Sequence, residues 1–182
     1  MRLVITGVPG TGKTEVAGIL SKRLKCKLVA ANKLVSSKKL WSGTGKFGEK
    51  IALMGKLRAA LQGVMKAERI IVEGHLACEF KLPADWVVVL RADPDVLEKR
   101  LAKRGYPAEK IDENVFAEML DYCTTCAAEH YGAKKVIEFD TTAKSAKESA
   151  AAILPLLGGK KTAKSVDWSG KLSERLSRPF PQ

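Results

Sequence analysis

Apolar residues fall into short unbroken runs separated by stretches of three- and four-residue spacing. Leu3-Val4-Ile5 is the first run; Lys27 to Ala31, Arg69 to His75, Trp86 to Arg91 and Lys135 to Phe139 follow it. Runs without polar alternation suit strands covered on both faces. Between them, Val16, Leu20 and Leu24 mark a helix from about Lys13 to Lys25. Phe47, Ile51, Met54, Leu57, Leu61 and Met65 form a second helical stripe, and Leu97 and Leu101 belong to a third helix that Pro94 opens and Gly105 ends. Ile111, Val115, Met119 and Tyr122 predict one long helix from Pro107 to His130, and Ala146, Ala150, Ile153 and Leu157 a last one over Lys144 to Leu157. Strands alternating with helices predict an α/β fold: a five-stranded parallel sheet with helices on both faces. Such sheets bind ligands at the carboxyl ends of their strands. The loop after the first strand, Glu73, His75 and Arg91 should therefore converge on one cleft.

Two stretches lack this periodicity. Residues 32–50 are rich in Lys, Ser and Gly, and Lys38 to Lys46 reads as a mobile loop. Residues 160–182 carry six basic residues against two acids, with Trp168, Pro179, Phe180 and Pro181 interleaved, which reads as a flexible basic tail. The expected organisation is a compact domain over 1–157 and a tail over 158–182, with no internal repeat.

Charge changes this picture. The net charge is +12 and the pI about 9.6. From Leu28 to Gln62 there are seven Lys or Arg and one acid, Glu49, a net of +6. Such an excess favours contact with RNA, DNA or another polyanion, with general solubility as the plain alternative. No apolar run reaches the length of a membrane span, and the chain opens in a strand with no signal peptide ahead of it, so the expected address is cytoplasmic, or nuclear in a eukaryote. The four cysteines, Cys26, Cys78, Cys123 and Cys126, are expected as thiols. Cys123 and Cys126 form a C-x-x-C inside a predicted helix without a second pair, which favours buried thiols over a zinc site.

The chemistry starts at Gly7-Val-Pro-Gly10-Thr-Gly12-Lys13-Thr14, a G-x-x-x-x-G-K-T loop between a strand and a helix. Glycines free the backbone to turn successive N–H groups toward one anion, and the helix adds its positive end. Lys13 is placed for the β- and γ-phosphates of a nucleotide and Thr14 for Mg²⁺. Glu73 closes an apolar strand, where an acid would hold hydrated Mg²⁺ or simply face solvent. His75 leaves the same strand end; it would contact the transferred phosphate, orient a water, or serve the structure alone. Arg100 and Arg104 share a helix face ahead of Gly105-Tyr106, the hinge of a short lid. Arg104 is the candidate for phosphate and Arg100 for the adenine face or α-phosphate, a solvated pair of surface charges being the alternative. His130 sits near a helix end and reads as structural.

These residues, together with Glu73-Gly-His75, Val89-Leu-Arg91-Ala-Asp-Pro94, Glu98-Lys-Arg100-Leu-Ala-Lys-Arg104-Gly-Tyr106 and Val166-Asp-Trp-Ser169, resemble the adenylate kinase isoenzyme 6 family, in order over nearly the whole chain. The resemblance implies an adenylate-kinase-like P-loop NTPase fold with a monophosphate arm over about 32–66 and a short lid over about 99–110. It implies ATP and Mg²⁺ as cofactors, AMP or another nucleoside monophosphate as acceptor, and ATP hydrolysis as a further activity. It also implies a role in small ribosomal subunit maturation, through a ribosomal protein and rRNA met by the basic arm and tail. Lys13, Glu73, His75 and Arg104 inherit the catalytic roles. Gly10, Gly12, Lys13, Thr14, Glu15, Arg100 and Arg104 inherit nucleotide contacts, and Thr14 and Glu73 the metal. The arm departs from the acidic pattern of the family, and Lys33, Lys39 and Arg58 are its candidate acceptor residues. Three readings follow: a nucleoside monophosphate kinase, an ATPase acting in ribosome assembly, and another small-molecule P-loop kinase.

Overall fold

The computed structural model describes residues 1–159 and 165–177. Five parallel strands form one sheet: β1 (Arg2–Thr6), β2 (Lys27–Ala30), β5 (Ile70–Glu73), β6 (Trp86–Arg91) and β7 (Val136–Asp140), in the order β2-β5-β1-β6-β7. The short β3 (Trp41–Thr44) and β4 (Lys50–Ala52) pair only with each other, as an antiparallel hairpin. Successive residues of β1 point to opposite faces. Val4 joins Val72, Val87 and Val89 against α3 (Met54–Val64), α4 (Pro94–Lys103), α5 (Ala108–Met119) and α6 (Tyr122–Tyr131). Leu3 and Ile5 join Ile71, Val88 and Leu90 against α1 (Lys13–Leu24) and α7 (Ala146–Ile153). Burial on both faces is why these strands read as unbroken apolar runs, and it confirms the doubly covered parallel sheet.

Four expectations need correction. Lys38 to Lys46, expected as a mobile loop, instead follows α2 (Ala31–Ser37) directly and contains β3 of the hairpin. The helical stripe expected from Phe47 holds only from Met54: Leu57, Leu61 and Met65 are buried, while Ile51 lies half exposed on the hairpin. The single helix expected over Pro107 to His130 is two, because Asp121 takes a left-handed conformation at φ 54° and turns its carboxylate onto Arg91. The tail is not free over 165–177. It forms α8 (Ser169–Ser177), which lies on α4 and α5: Arg175 pairs with Glu98 on the first and Asp112 on the second, and Lys171 pairs with Asp93 and Asp95. Trp168 Nε1 donates to Glu118 Oε1 at 3.1 Å. The remaining residues of the predicted tail, 160–164 and 178–182, lie outside the described residues. No helix among the described residues is long and apolar enough to cross a membrane.

Candidate active site

The glycine loop leaves β1 and enters α1 under close packing. A Cβ at Gly7, where φ is 131°, would stand 2.3 Å from the Leu90 carbonyl oxygen. At Gly10, with φ 94°, a Cβ would meet Leu97 Cδ1 at 2.6 Å. Only glycine lets the chain turn here between β6 and α4. The turn delivers the N-terminal N–H groups of α1, which have no partner within the helix, to the end of the sheet.

Lys13 folds back over this loop. Its Nζ donates to the Val8 carbonyl at 2.8 Å, and the residue is only 9% exposed. Burial pushes its pKa down to about 8; the nearby charge of Arg104 acts in the same direction and that of Glu73 against it. Glu73 ends β5, in register with Ile5 of β1, so the edge of the sheet sets it beside the loop. The Thr14 hydroxyl donates to Glu73 Oε1 at 3.3 Å. Burial raises the pKa of Glu73, while Lys13 and the Thr14 hydrogen bond hold it down. A hydroxyl and a carboxylate, both hard oxygen donors and already side by side, fit the requirements of Mg²⁺.

His75 follows Gly74 at the start of a short 3₁₀ turn, His75–Cys78. Its carbonyl accepts from Thr6 Oγ1 at 3.1 Å and from Cys78 Sγ at 3.0 Å, which fixes the backbone. Burial, followed by the charges of Lys13 and Lys110, pushes its pKa down to about 4. The ring is therefore neutral near pH 7 and offers a hydrogen bond rather than a charge.

These groups line one cleft of about 710 Å³. Lys13, Thr14, Glu73 and His75 line it at the sheet end, Arg104 and Tyr106 come from the turn between α4 and α5, and Glu49, Lys50 and Ile51 come from the hairpin. A second cavity of about 510 Å³ lies across the loop, lined by Arg100, Thr141, Lys144 and Ser145. Gly10, Gly12, Glu15 and Arg104 border both. Arg100 is engaged there already: it donates to the carbonyls of Thr141 at 3.0 Å and Thr142 at 3.1 Å, and reaches the Gly10 carbonyl at 3.5 Å. It ties the glycine loop to the β7–α7 connection.

Arg91 does not reach the cleft. It is 1% exposed, and its guanidinium is caged by Glu118, Asp121 and Glu138, with Arg91 Nε to Glu118 Oε1 at 2.7 Å. A charged residue at a strand end can satisfy itself inward, and here three acids from three elements make that possible. Lys33, Lys39 and Arg58 are exposed and absent from the lining of the cleft, although the charge of Lys33 reaches Glu73. The cations that do line it beside Lys13 and Arg104 are Lys50 and Lys110. Neither carries a motif, since both arrive through tertiary contacts. Cys26, Cys78 and Cys123 are buried, and His130 Nδ1 lies 2.9 Å from the Cys126 carbonyl within its own helix.

Comparison with known proteins identifies the family and the fold. A family model described as AAA domain matches residues 3–121. A protein of Pyrococcus furiosus named "Putative adenylate kinase" is 37% identical over 171 residues, covering 93% of this chain and 92% of its own. One of the same name from Methanocaldococcus jannaschii is 34% identical over 180 residues, covering 97% and 98%. Among solved structures, shikimate kinase from Bacteroides thetaiotaomicron shares the fold with a TM-score of 0.64 at 18% identity, covering 87% of this chain and 98% of that one. Deoxyadenosine kinase from M. mycoides with bound dATP aligns with a TM-score of 0.56 at 16% identity, covering 87% and 100%. At this identity and coverage the chain belongs to the family of these archaeal adenylate kinase homologues, and with them to the P-loop phosphotransferases.

Proposed function

We propose that the protein transfers the γ-phosphoryl group of ATP to a nucleoside monophosphate, with AMP as the first acceptor to test. The observation that carries this reading is the pair of cavities on either side of one glycine loop, with Arg104 bordering both and Lys13 lining the larger. The smaller cavity, beside Arg100 and Thr141, suits the donor nucleoside. The larger one extends from Lys13 toward the hairpin and leaves room for an acceptor. An oxygen of the acceptor phosphate attacks the γ-phosphorus in line, and the bond to the β–γ bridging oxygen breaks, yielding two diphosphates. Lys13 and Arg104 stabilise charge on the moving group, His75 orients it as a neutral donor, and Tyr106 and the hairpin exclude water. Thr14 and, through water, Glu73 would hold Mg²⁺, which neutralises charge between the β- and γ-phosphates when bound. A coupled assay with ATP, Mg²⁺ and each monophosphate in turn, with a no-acceptor control, tests the proposal. ADP formed at twice the rate of AMP consumption supports it; ADP formed equally without an acceptor overturns it in favour of an ATPase.

The charge favours a second reading, which one cleft can serve alongside the first. Residues 21–70 hold thirteen Lys or Arg and two acids, a net of +11 in a chain whose total is +12. The fold gathers them along the β2 edge of the sheet, from the end of α1 through α2, the hairpin and α3. In the tail, by contrast, Lys171 and Arg175 are taken up by acids of the same molecule. The arm is therefore the first place to test for a polyanion contact, and the isoenzyme 6 resemblance makes rRNA of the small ribosomal subunit its candidate partner. The logarithm of the affinity for single-stranded RNA should fall linearly with log salt, each phosphate contact adding about −0.7 to the slope. Changing Lys38, Lys39 and Arg58 to Ala should flatten that slope by about 2. An unchanged slope would remove the arm from RNA binding.

A further inference from the structure

The hairpin does not merely overhang the cleft; it grips the far wall. Its turn is tightened by Gly45 N to Glu49 O at 2.7 Å and Gly48 N to Gly45 O at 3.0 Å, and the Phe47 N–H donates to Glu49 Oε2 at 3.0 Å. From this turn Lys46 reaches Glu109 at 2.6 Å, and Glu49 reaches Lys110 at 3.3 Å, both at the start of α5. The Lys110 ammonium lies 5.3 Å from the centre of the Phe47 ring and 5.8 Å from that of Tyr106. One cation thus touches hairpin and lid together. Two aromatic faces attract the ammonium.

Two anionic groups must meet in the cleft if a phosphorylated acceptor is used. Lys13 and Arg104 serve the donor end. Of the two other cations lining the cleft, Lys50 is turned to Ser36 Oγ at 3.1 Å and to the Trp41 ring. Lys110 faces inward, near enough for its charge to be felt at His75. Its partner Glu49 is 45% exposed, so their pair is screened and weakly held. A phosphate oxygen, with more charge and no tether to the hairpin backbone, makes the stronger charge-assisted bond.

We propose that Lys110 is the acceptor-recognition cation, held by Glu49 in the empty cleft and surrendered to the phosphate of the incoming acceptor. The inference rests on the kinase reading above and narrows it. Acceptors that carry a phosphate displace Glu49, whereas uncharged alcohols and nucleosides do not. The exchange also releases one of the two ion pairs that hold the hairpin on α5, and only when an acceptor has arrived, so that arm and lid respond to it together.

The test is steady-state kinetics with AMP and ATP varied separately, in the wild type, Lys110→Ala, Glu49→Gln and the exchanged pair Lys110→Glu with Glu49→Lys. Lys110→Ala should raise the KM for AMP about tenfold or more and leave the KM for ATP within about twofold. Glu49→Gln, which removes the competitor while keeping the shape of the hairpin, should lower the KM for AMP. The exchanged pair rebuilds the ion pair but should keep the weak AMP binding. An unchanged KM for AMP in Lys110→Ala, a raised or unchanged one in Glu49→Gln, or its recovery in the exchanged pair would overturn the inference and leave the kinase reading intact. A wild type that phosphorylates no monophosphate would overturn the kinase reading itself.

Discussion

Lys13→Ala should lower the turnover of phosphoryl transfer by about 10²–10³-fold, a loss of about 2.7–4 kcal/mol of transition-state stabilisation. Charge that builds on the transferred group has the Lys13 ammonium as its nearest buried cation, and Arg104, being exposed, cannot replace it. The KM for ATP should rise in the same variant, because Lys13 touches the donor before and during transfer. Stability should move the other way. Burial pushes the pKa of Lys13 down to about 8, so at pH 7 the folded state holds a charge that its surroundings disfavour. Its one hydrogen bond to Val8 does not outweigh that cost. The alanine variant should therefore melt at or above the wild-type temperature. A variant that melts normally and turns over at the wild-type rate would remove the glycine loop from catalysis. This opposition of activity and stability is what separates a functional lysine from a structural one.

What could be read from the chain was whatever depends on neighbours in sequence. The glycine loop, the five apolar strands and the acid-x-histidine ending β5 are local patterns, and each lies where its pattern places it. The end of α4 was legible too, since Gly105 takes φ 74° after Arg104 as a helix-ending glycine should. What escaped is set by distant partners. The spacing Ile111, Val115, Met119, Tyr122 passes through the break between α5 and α6 without a gap, because only Leu120 and Asp121 depart from helix. The hairpin strands have four and three residues and pair with nothing else in the sheet, so they leave no strand signal; their anchors, Glu109 and Lys110, lie some sixty residues away. The helix at 169–177 is polar on most sides and is held by acids of α4 and α5, which a reading of the tail by itself cannot supply. Lys110 is the clearest case within the site. It has no motif and becomes a cleft residue only through Glu49, Phe47 and Tyr106.

Arg91 was misplaced for the same reason, and its proper role predicts the largest effect on folding. Arg91 and Glu118 both have side chains 1% exposed. Glu118 Oε1 accepts from Arg91 Nε at 2.7 Å, the Ala92 N–H at 3.1 Å and the Trp168 indole at 3.1 Å. Arg91 Nη2 also donates to the Glu118 carbonyl at 2.9 Å, and its remaining donors reach Asp121 and Glu138. One guanidinium therefore joins the end of β6, the α5–α6 corner and β7, and through Glu118 it joins the tail. Burial alone would weaken the charge of Arg91, but Glu118 and Asp121 outweigh it and raise its pKa. For Glu118 burial prevails and raises the pKa, with Arg91 opposing. Arg91→Met keeps the volume and removes the cation, leaving a buried carboxylate unpaired, and should cost about 3–5 kcal/mol. At this chain length that lowers the melting temperature by about 6–20 °C. Without Arg91 the folded-state pKa of Glu118 rises further above its unfolded value. A raised carboxylate pKa means that the native state binds the proton more tightly, so stability is present at low pH and lost as pH rises through it. The deficit of the variant against the wild type should therefore be smaller at pH 5 than at pH 8, as measured by urea denaturation. Adding Glu118→Met to Arg91→Met should recover much of the loss, since two apolar side chains leave no charge behind. A single variant that melts within about 2 °C of the wild type, or a deficit equal at both pH values, would mean that Glu118 does not depend on Arg91 and that the corner is held by packing alone.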